Sequence, residues 1–600
     1  MGEIDSRTRQ GAGGQALVEP LLSIRNLSIE YLLDRGSFEA VKSVSLNIAR
    51  GEILGLAGES GCGKSTIAYA VARLSKSPAW IVDGQIVLEG SDLLKLTERQ
   101  MQKVRWRRIG MVFQSAMNSL NPLMRIEGQF HDVLHQHLNT SREQSRDIAQ
   151  KMLRLVGIAP QRLSDYPHQF SGGMRQRVVI AICLALNPDL IIMDEPTTAL
   201  DVVVQREILE QIAELQKARG FSVLFITHDL HLMAQICHRM AVMFKGEVVE
   251  SGDVYQMLNN PQHAYTKALW AAIPQLPKMR QERESILVTP IADRVEAKAA
   301  VPLPTVQLRN VTKRFEAFQA LRGVSFELNA GRALALVGES GSGKSTVANI
   351  ISRTFSQTTG DVMLNGKDLP SSLKARDEKA YRKSVQMIFQ DPFASLNPAF
   401  TVRHHIMRAL KLHGHGKDRA DRNRRILEIL EWVGLEGELT APKYPHQLSG
   451  GQRQRVNIAR ALAVEPEVLL ADEPTSMLDV SIRLDILELL SRVKQERRLA
   501  MLYITHDIAT AYHVAEDIVV MFAGQAVEWG DALGVLSDPR HPYTKLMLSA
   551  VPDPASRFRV DNSAKFLKEA GRIRAVSRPY SEEIVQVGQN HFIRKVAESE

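Results

Sequence analysis

The chain has 600 residues, 44% hydrophobic and 24% charged, with a formal net charge of +8. That balance belongs to globular protein with room for more than one core, and no apolar run reaches the roughly 18 residues of a membrane span, which excludes a bilayer-crossing role. Three cysteines, Cys62, Cys183 and Cys237, are too few and too scattered for a disulfide framework or a four-thiolate metal site, and the positive charge forms no concentrated block of the kind that nucleic acid selects.

In chain order, residues 1–20 are rich in Gly and Gln and lack the basic head and apolar centre of a secretory signal. They read as a flexible tail on a cytoplasmic protein. Residues 21–274 then alternate short β-branched runs with amphipathic helices, which predicts an α/β unit with a mainly parallel sheet covered on both faces. The run Ile53 to Ala57 leads into Gly58-Glu59-Ser60-Gly61-Cys62-Gly63-Lys64-Ser65-Thr66, a phosphate-binding loop opening into a helix. Its glycines let backbone N–H groups turn inward, Lys64 reaches the β- and γ-phosphates, and Ser65 offers a hydroxyl to Mg²⁺. Cys62, beside helix N–H groups, is expected to gain thiolate character and make this loop sensitive to thiol reagents.

Gln114 follows the apolar run Gly110 to Phe113, and its amide could contact Mg²⁺ or an attacking water. A long charged helical stretch then predicts an inserted helical subdomain. It ends at Ser171-Gly172-Gly173-Met174-Arg175-Gln176-Arg177, whose bare N–H groups at a positive helix end form an anion site. The buried run Leu190 to Met193 delivers Asp194-Glu195-Pro196 at its carboxyl end, where open sheets bind ligands. There Asp194 can hold Mg²⁺ and Glu195 can polarise the attacking water. The next strand, Val223 to Thr227, ends in His228, placed to contact the γ-phosphate.

Residues 275–304 read as a linker, and residues 305–552 repeat the whole pattern at a near-constant offset. The second loop is Gly338-Glu339-Ser340-Gly341-Ser342-Gly343-Lys344-Ser345-Thr346, and Gln390, Ser449-Gly450-Gly451, Asp472, Glu473 and His506 recur in order with the same expected roles. The chain therefore carries two nucleotide sites. Residues 553–600 form a C-terminal tail with a possible helix near Ala564 to Ile573 and an apolar-polar alternation at Ile584 to Val587.

The ordered set of phosphate loop, Gln after a strand, Ser-Gly-Gly-x-Arg-Gln-Arg, strand-Asp-Glu-Pro, Leu-Asp and strand-Thr-His-Asp resembles the nucleotide-binding domains of ABC transporters across nearly all of both units. The resemblance implies tandem P-loop NTPase domains of ABC type that stack head to tail, an intramolecular pairing in place of a homodimer. ATP on Lys64 is then closed by Ser449 to Gly451, and ATP on Lys344 by Ser171 to Gly173. Asp201 and Asp479 match the acid of the family's D-loop at that interface, and Tyr31 and Phe315 sit where the family stacks an aromatic ring on adenine.

A narrower resemblance rests on Asn118-Ser119-Leu120-Asn121-Pro122 and Ala394-Ser395-Leu396-Asn397-Pro398, on Tyr166-Pro167-His168-Gln169 and Tyr444-Pro445-His446-Gln447, and on two end motifs. Those ends, His263-Ala264-Tyr265-Thr266-Lys267 and His541-Pro542-Tyr543-Thr544-Lys545, look like the ATPases of oligopeptide and dipeptide importers, with two subunits fused. In many relatives a cysteine cluster after the end motif holds an iron–sulfur centre; no cysteine follows Cys237 here, so none is expected.

This resemblance implies ATP and Mg²⁺ as ligands, two integral-membrane permease subunits and an extracytoplasmic solute-binding protein as partners, and a peripheral place on the cytoplasmic face of the inner membrane. Peptide is the favoured cargo, with oligosaccharide, glutathione, opine or nickel as alternatives. The rival of another class is a soluble tandem ATPase acting on ribosomes or nucleic acid; the lack of a long basic helical arm and the two His-x-Tyr-Thr-Lys ends stand against it.

Overall fold

The computed structural model describes residues 19–33, 36–114, 119–197, 200–272, 303–316, 318–370, 374–552 and 560–596. The tail expected before residue 19 and nearly all of the expected linker lie outside these residues.

Each half is an α/β unit built on a mainly parallel sheet. In the first, the strand order is Glu247–Asp253, Arg239–Phe244, Ile53–Ala57, Ser222–Ile226, Leu190–Asp194, Ile109–Val112, and only the edge strand Glu247–Asp253 runs antiparallel. Every residue of Ile53–Ala57, Leu190–Asp194 and Ser222–Ile226 is buried. Strands covered on both faces need continuous apolar sequence, which these short runs supply. A separate antiparallel sheet, Gly36–Ile48, Leu22–Leu33, Ala79–Leu88 and Ser91–Asp92, covers one side. The second half repeats both sheets, with Val385–Ile388, Val468–Asp472, Ala500–Thr505, Ala333–Gly338 and Asp517–Phe522 in parallel.

The expected helical insertion is present in both halves. Helices Ile126–Leu138 and Arg142–Leu155 precede the first Ser-Gly-Gly segment, and Val402–His413 and Arg419–Trp432 precede the second. Their starts follow local chemistry: Ser141 accepts from the N–H of Gln144 while the Gln144 side chain accepts from the N–H of Ser141, satisfying two otherwise orphaned donors.

The C-terminal segment completes the second half. After the helix Val560–Ser577, strands Ile584–Gly588 and His591–Arg594 form a hairpin whose second strand pairs with Gln525–Asp531, widening that sheet to eight strands. His591 Nε2 meets the fully buried Glu528 carboxylate at 2.7 Å, which anchors the hairpin.

The halves pack reciprocally. Helix Val202–Arg219 of the first half lies against Pro542–Ala550 and Val560–Ser577, and Val480–Arg497 of the second lies against Ala264–Ala271. Val203 joins the apolar core of the opposite half. Among the described residues no helix is long and apolar enough to cross a membrane.

Candidate functional site

Both phosphate loops sit between a buried strand and a helix, as their sequence requires. Gly58 (φ 144°) and Gly338 (φ 155°) adopt backbone closed to other residues, and a Cβ there would lie 2.4 Å from the Met243 carbonyl oxygen and 2.2 Å from that of Met521. Helices Lys64–Val71 and Lys344–Ile351 start from Gly63 and Gly343, so their N–H groups face the loop. Lys64 Nζ donates to the carbonyls of Gly58 and Glu59, both at 2.7 Å, and Lys344 Nζ does the same to Gly338 and Glu339 at 2.7 and 2.9 Å. Each ammonium is thus held over its own loop.

The two strand-end acids of each half have different partners. Ser65 Oγ donates to Asp194 Oδ1 at 3.0 Å and Ser345 Oγ to Asp472 Oδ1 at 3.5 Å. Asp194 Oδ2 is buried with no hydrogen-bond partner, a free oxygen suited to a cation. Burial pushes both Asp194 and Asp472 up to about 6, and the neighbouring Glu195 and Glu473 add to the rise.

Glu195 and Glu473 adopt left-handed backbone, φ 46° and 44°, which non-glycine residues occupy uncommonly. Hydrogen bonds from their N–H groups to Ile226 and Ile504 carbonyls, each 2.9 Å, pin the turn and aim the glutamate away from the aspartate before it. Gln114 Nε2 then donates to Glu195 Oε2 at 2.8 Å, with His228 Nδ1 3.3 Å from Oε1. The second half matches, with Gln390 at 2.7 Å and His506 at 3.2 Å from Glu473. The Gln, Glu and His read separately from sequence are one cluster in each half. Burial opposes charge on both Glu473 and His506, yet their mutual hydrogen bond lowers the carboxyl and raises the imidazole.

Ser171 and Ser449 cap helices Gly172–Leu184 and Gly450–Leu462 by accepting from the N–H of Met174 at 3.4 Å and Gln452 at 3.3 Å. Gly173 is needed for close approach: a Cβ there would meet Val204 Cγ1 at 2.4 Å, while Gly172 and Gly450 form the first helical positions and Gly451 packs by Ile482. The D-loop acids reach across. Asp479 Oδ1 accepts from Ser60 N at 2.8 Å and Ser60 Oγ at 2.7 Å, and Asp201 Oδ1 accepts from Ser340 N at 2.7 Å.

Tyr31 directs its hydroxyl to Thr66 Oγ1 at 3.3 Å, and exposed Phe315 packs edge-on against Phe355 with centroids 5.3 Å apart. Gly61 and Gly341 keep positive φ, Ser342 is buried, and Thr346 continues the helix from Ser345. Cys62 does not gain thiolate character: burial pushes its thiol up and outweighs the opposing influence of Lys64.

Two tyrosines quoted only as parts of the end motifs prove to touch the loops. Tyr265 Oη accepts from Glu59 N at 3.3 Å, and Tyr543 Oη from Glu339 N at 3.1 Å. In each half the His two residues earlier caps the helix through Nδ1, accepting from the tyrosine N–H, and a glutamate accepts two backbone N–H groups, those of Gln262 and His263 on Glu250 and those of Arg540 and His541 on Glu528. The recurrence of both tyrosines at the repeat offset was the available signal. Arg574, linked by hydrogen bonds to Glu207 and the Glu339 side chain, carried no such signal.

A model of the ABC transporter family matches residues 41–198 and 321–476, and one of the oligopeptide/dipeptide transporter C-terminal region matches 249–296 and 527–570. The glutathione import ATP-binding protein GsiA of Escherichia coli (strain K12) is 42% identical over 562 residues, covering 89% of each chain. Its counterpart in Shigella flexneri is 41% identical over the same length and shares. Among solved structures, a dimeric ATP-binding cassette in a post-hydrolysis state bound to ADP and Pi is 29% identical, with a TM-score of 0.36, over 39% of this chain and 98% of that one. With the family matched twice along one chain, over two α/β units that each hold a phosphate loop, the chain belongs to the ABC transporter family and is the ATP-hydrolysing, energy-coupling subunit of an importer.

Proposed function

We propose that this ATPase powers uptake of short peptides, with glutathione the first candidate. Two composite sites close head to tail, ATP on Lys64 facing Ser449 to Gly451 and ATP on Lys344 facing Ser171 to Gly173. The observation that carries the pairing is reciprocal: Asp479 bonds Ser60 of the first loop, and Asp201 bonds Ser340 of the second. Stacking on ATP draws the halves together, and hydrolysis releases them.

At each site Lys64 or Lys344 exchanges its loop carbonyls for phosphate oxygens, and the loop N–H groups hold the remaining charge. Glu195 and Glu473 accept a hydrogen bond from the attacking water and orient it in line, while His228 and His506 hold the glutamate and meet the γ-phosphate. Mg²⁺ would be held by Ser65 and Asp194, and by Ser345 and Asp472, with Gln114 and Gln390 beside them. The unpartnered Asp194 oxygen fits that role. When bound, the ion offsets negative charge on the phosphates.

Two integral-membrane permeases turn this motion into transport from the cytoplasmic face of the inner membrane, and an extracytoplasmic binding protein delivers the cargo. Support comes from the relatives named as glutathione importers and from the oligopeptide/dipeptide C-terminal regions in both halves. Purification from detergent-solubilised membranes, followed by ATPase-coupled uptake of labelled glutathione and of dipeptides in vesicles, tests the proposal. Two multi-span permeases should copurify. Recovery with ribosomes or nucleic acid would overturn the importer reading, and uptake of neither label would overturn the cargo.

A further inference from the structure

We propose that Arg574, from the C-terminal helix, is a positioning residue that ties together the two parts of a single nucleotide site: the Lys344 phosphate loop and the signature helix beginning at Ser171. The inference rests on the head-to-tail reading of that site. Arg574 Nε and Nη2 donate to the Glu339 carboxylate at 3.0 to 3.2 Å and 2.8 Å, and Nη1 donates to Glu207 Oε1 at 2.5 Å. Glu339 is the second residue of the second loop, while Glu207 lies on helix Val202–Arg219 of the first half. The remaining oxygen of Glu207 accepts from Arg177 Nη2 at 2.5 Å, and Arg177 stands on the signature helix Gly172–Leu184. A continuous chain, Arg177 to Glu207 to Arg574 to Glu339, therefore spans the interface.

The electrostatics give this chain a direction. Two carboxylates with little exposure, 7% for the Glu207 side chain and 13% for Glu339, come from opposite halves and meet across Arg574. Without the guanidinium, Glu339 would face Glu207 with only Arg177 of the first half to offset the charge, so the C-terminal helix supplies a cation that favours the approach of this loop to the first half. The planar fork suits that task because its Nε and Nη2 edge holds Glu339 while Nη1 reaches Glu207, a fixed bidentate geometry that a lysine ammonium does not reproduce.

The helix that carries Arg574 is itself held. Ala570 and Ile573 are buried in the second half's core, and Gln525 Nε2 donates to the carbonyls of Ser577 and Pro579, both at 3.1 Å. Arg206 of the first half lies 4.1 Å over the Phe566 ring and donates to the Ser549 carbonyl. Arg574 falls after the matched C-terminal region, which ends at residue 570.

The test is equilibrium binding of a fluorescent trinitrophenyl-ATP to the full chain in two backgrounds, Lys64→Ala, leaving the second loop, and Lys344→Ala, leaving the first. Arg574→Ala should weaken binding about five- to tenfold in the Lys64→Ala background and leave the Lys344→Ala background unchanged, with Arg574→Lys recovering part of the loss. Loss in both backgrounds marks a general folding role and overturns the proposal, as does loss in neither. Ser171→Glu in the Lys64→Ala background separates the two readings. If it has no effect while Arg574→Ala does, the head-to-tail reading fails; if it weakens binding while Arg574→Ala does not, the role of Arg574 fails alone.

Discussion

Asp479 accepts two hydrogen bonds from Ser60, one from the backbone N–H at 2.8 Å and one from the hydroxyl at 2.7 Å, although the two residues belong to different halves. The contact couples the loop that grips one nucleotide to the helix Val480–Arg497 that starts the opposing surface. Asp479→Ala should lower ATP turnover roughly tenfold, since a charged acceptor for two donors is lost. Asp479→Asn, which keeps an acceptor oxygen, should lose less. Wild-type turnover of the alanine variant in a steady-state assay would make the contact incidental.

Glu195 and Glu473 occupy equivalent strained turns with the same Gln and His partners. Equal geometry predicts equal need. Glu195→Gln and Glu473→Gln, made singly, should each cut turnover by about 10² or more, as expected for loss of a positioned base. Intact turnover in one of them would show that the two sites are not equivalent.

Tyr265→Phe and Tyr543→Phe remove the acceptor for the Glu59 and Glu339 N–H groups and change little else. A loop N–H left without its partner should raise the KM for ATP by about three- to tenfold, with a smaller change in kcat. An unchanged KM in both variants would reduce the end-motif tyrosines to packing groups.

His541 is buried, accepts the Tyr543 N–H on Nδ1, and has its imidazole held down to about 4 by burial. The folded chain keeps this ring neutral, while the unfolded chain protonates it below about 6.5, so its contribution is complete above that pH and is lost as pH falls from 6.5 towards 4. The loss reaches on the order of 3 kcal/mol at pH 4. His541→Asn keeps a capping oxygen but does not titrate. Its denaturant midpoint should therefore fall less steeply than wild type over this range, and parallel curves would refute the assignment.

Much of the site was legible because each element is written in contiguous residues. An apolar run followed by glycines and Lys64 can only turn in a few ways, and a buried strand ending in Asp194-Glu195 must release those acids at the sheet's carboxyl edge. The Cys62 expectation failed because proximity to helix N–H groups is visible locally, whereas the burial that raises its thiol is set by residues packed from elsewhere.

Thus the sequence by itself determined two phosphate loops, their strand-end acids, the Ser-Gly-Gly caps and the repeat, since short-range sterics and hydrogen bonding dictate all of these. Only the tertiary structure decided that Asp479 meets Ser60 across 419 residues, that Tyr265 and Tyr543 lean on the loops, and that Arg574 joins Glu207 to Glu339. The repeat marks Asp479 and the tyrosines as recurring residues, but which distant segment each one meets is set by packing, burial and charge pairing that local pattern does not encode.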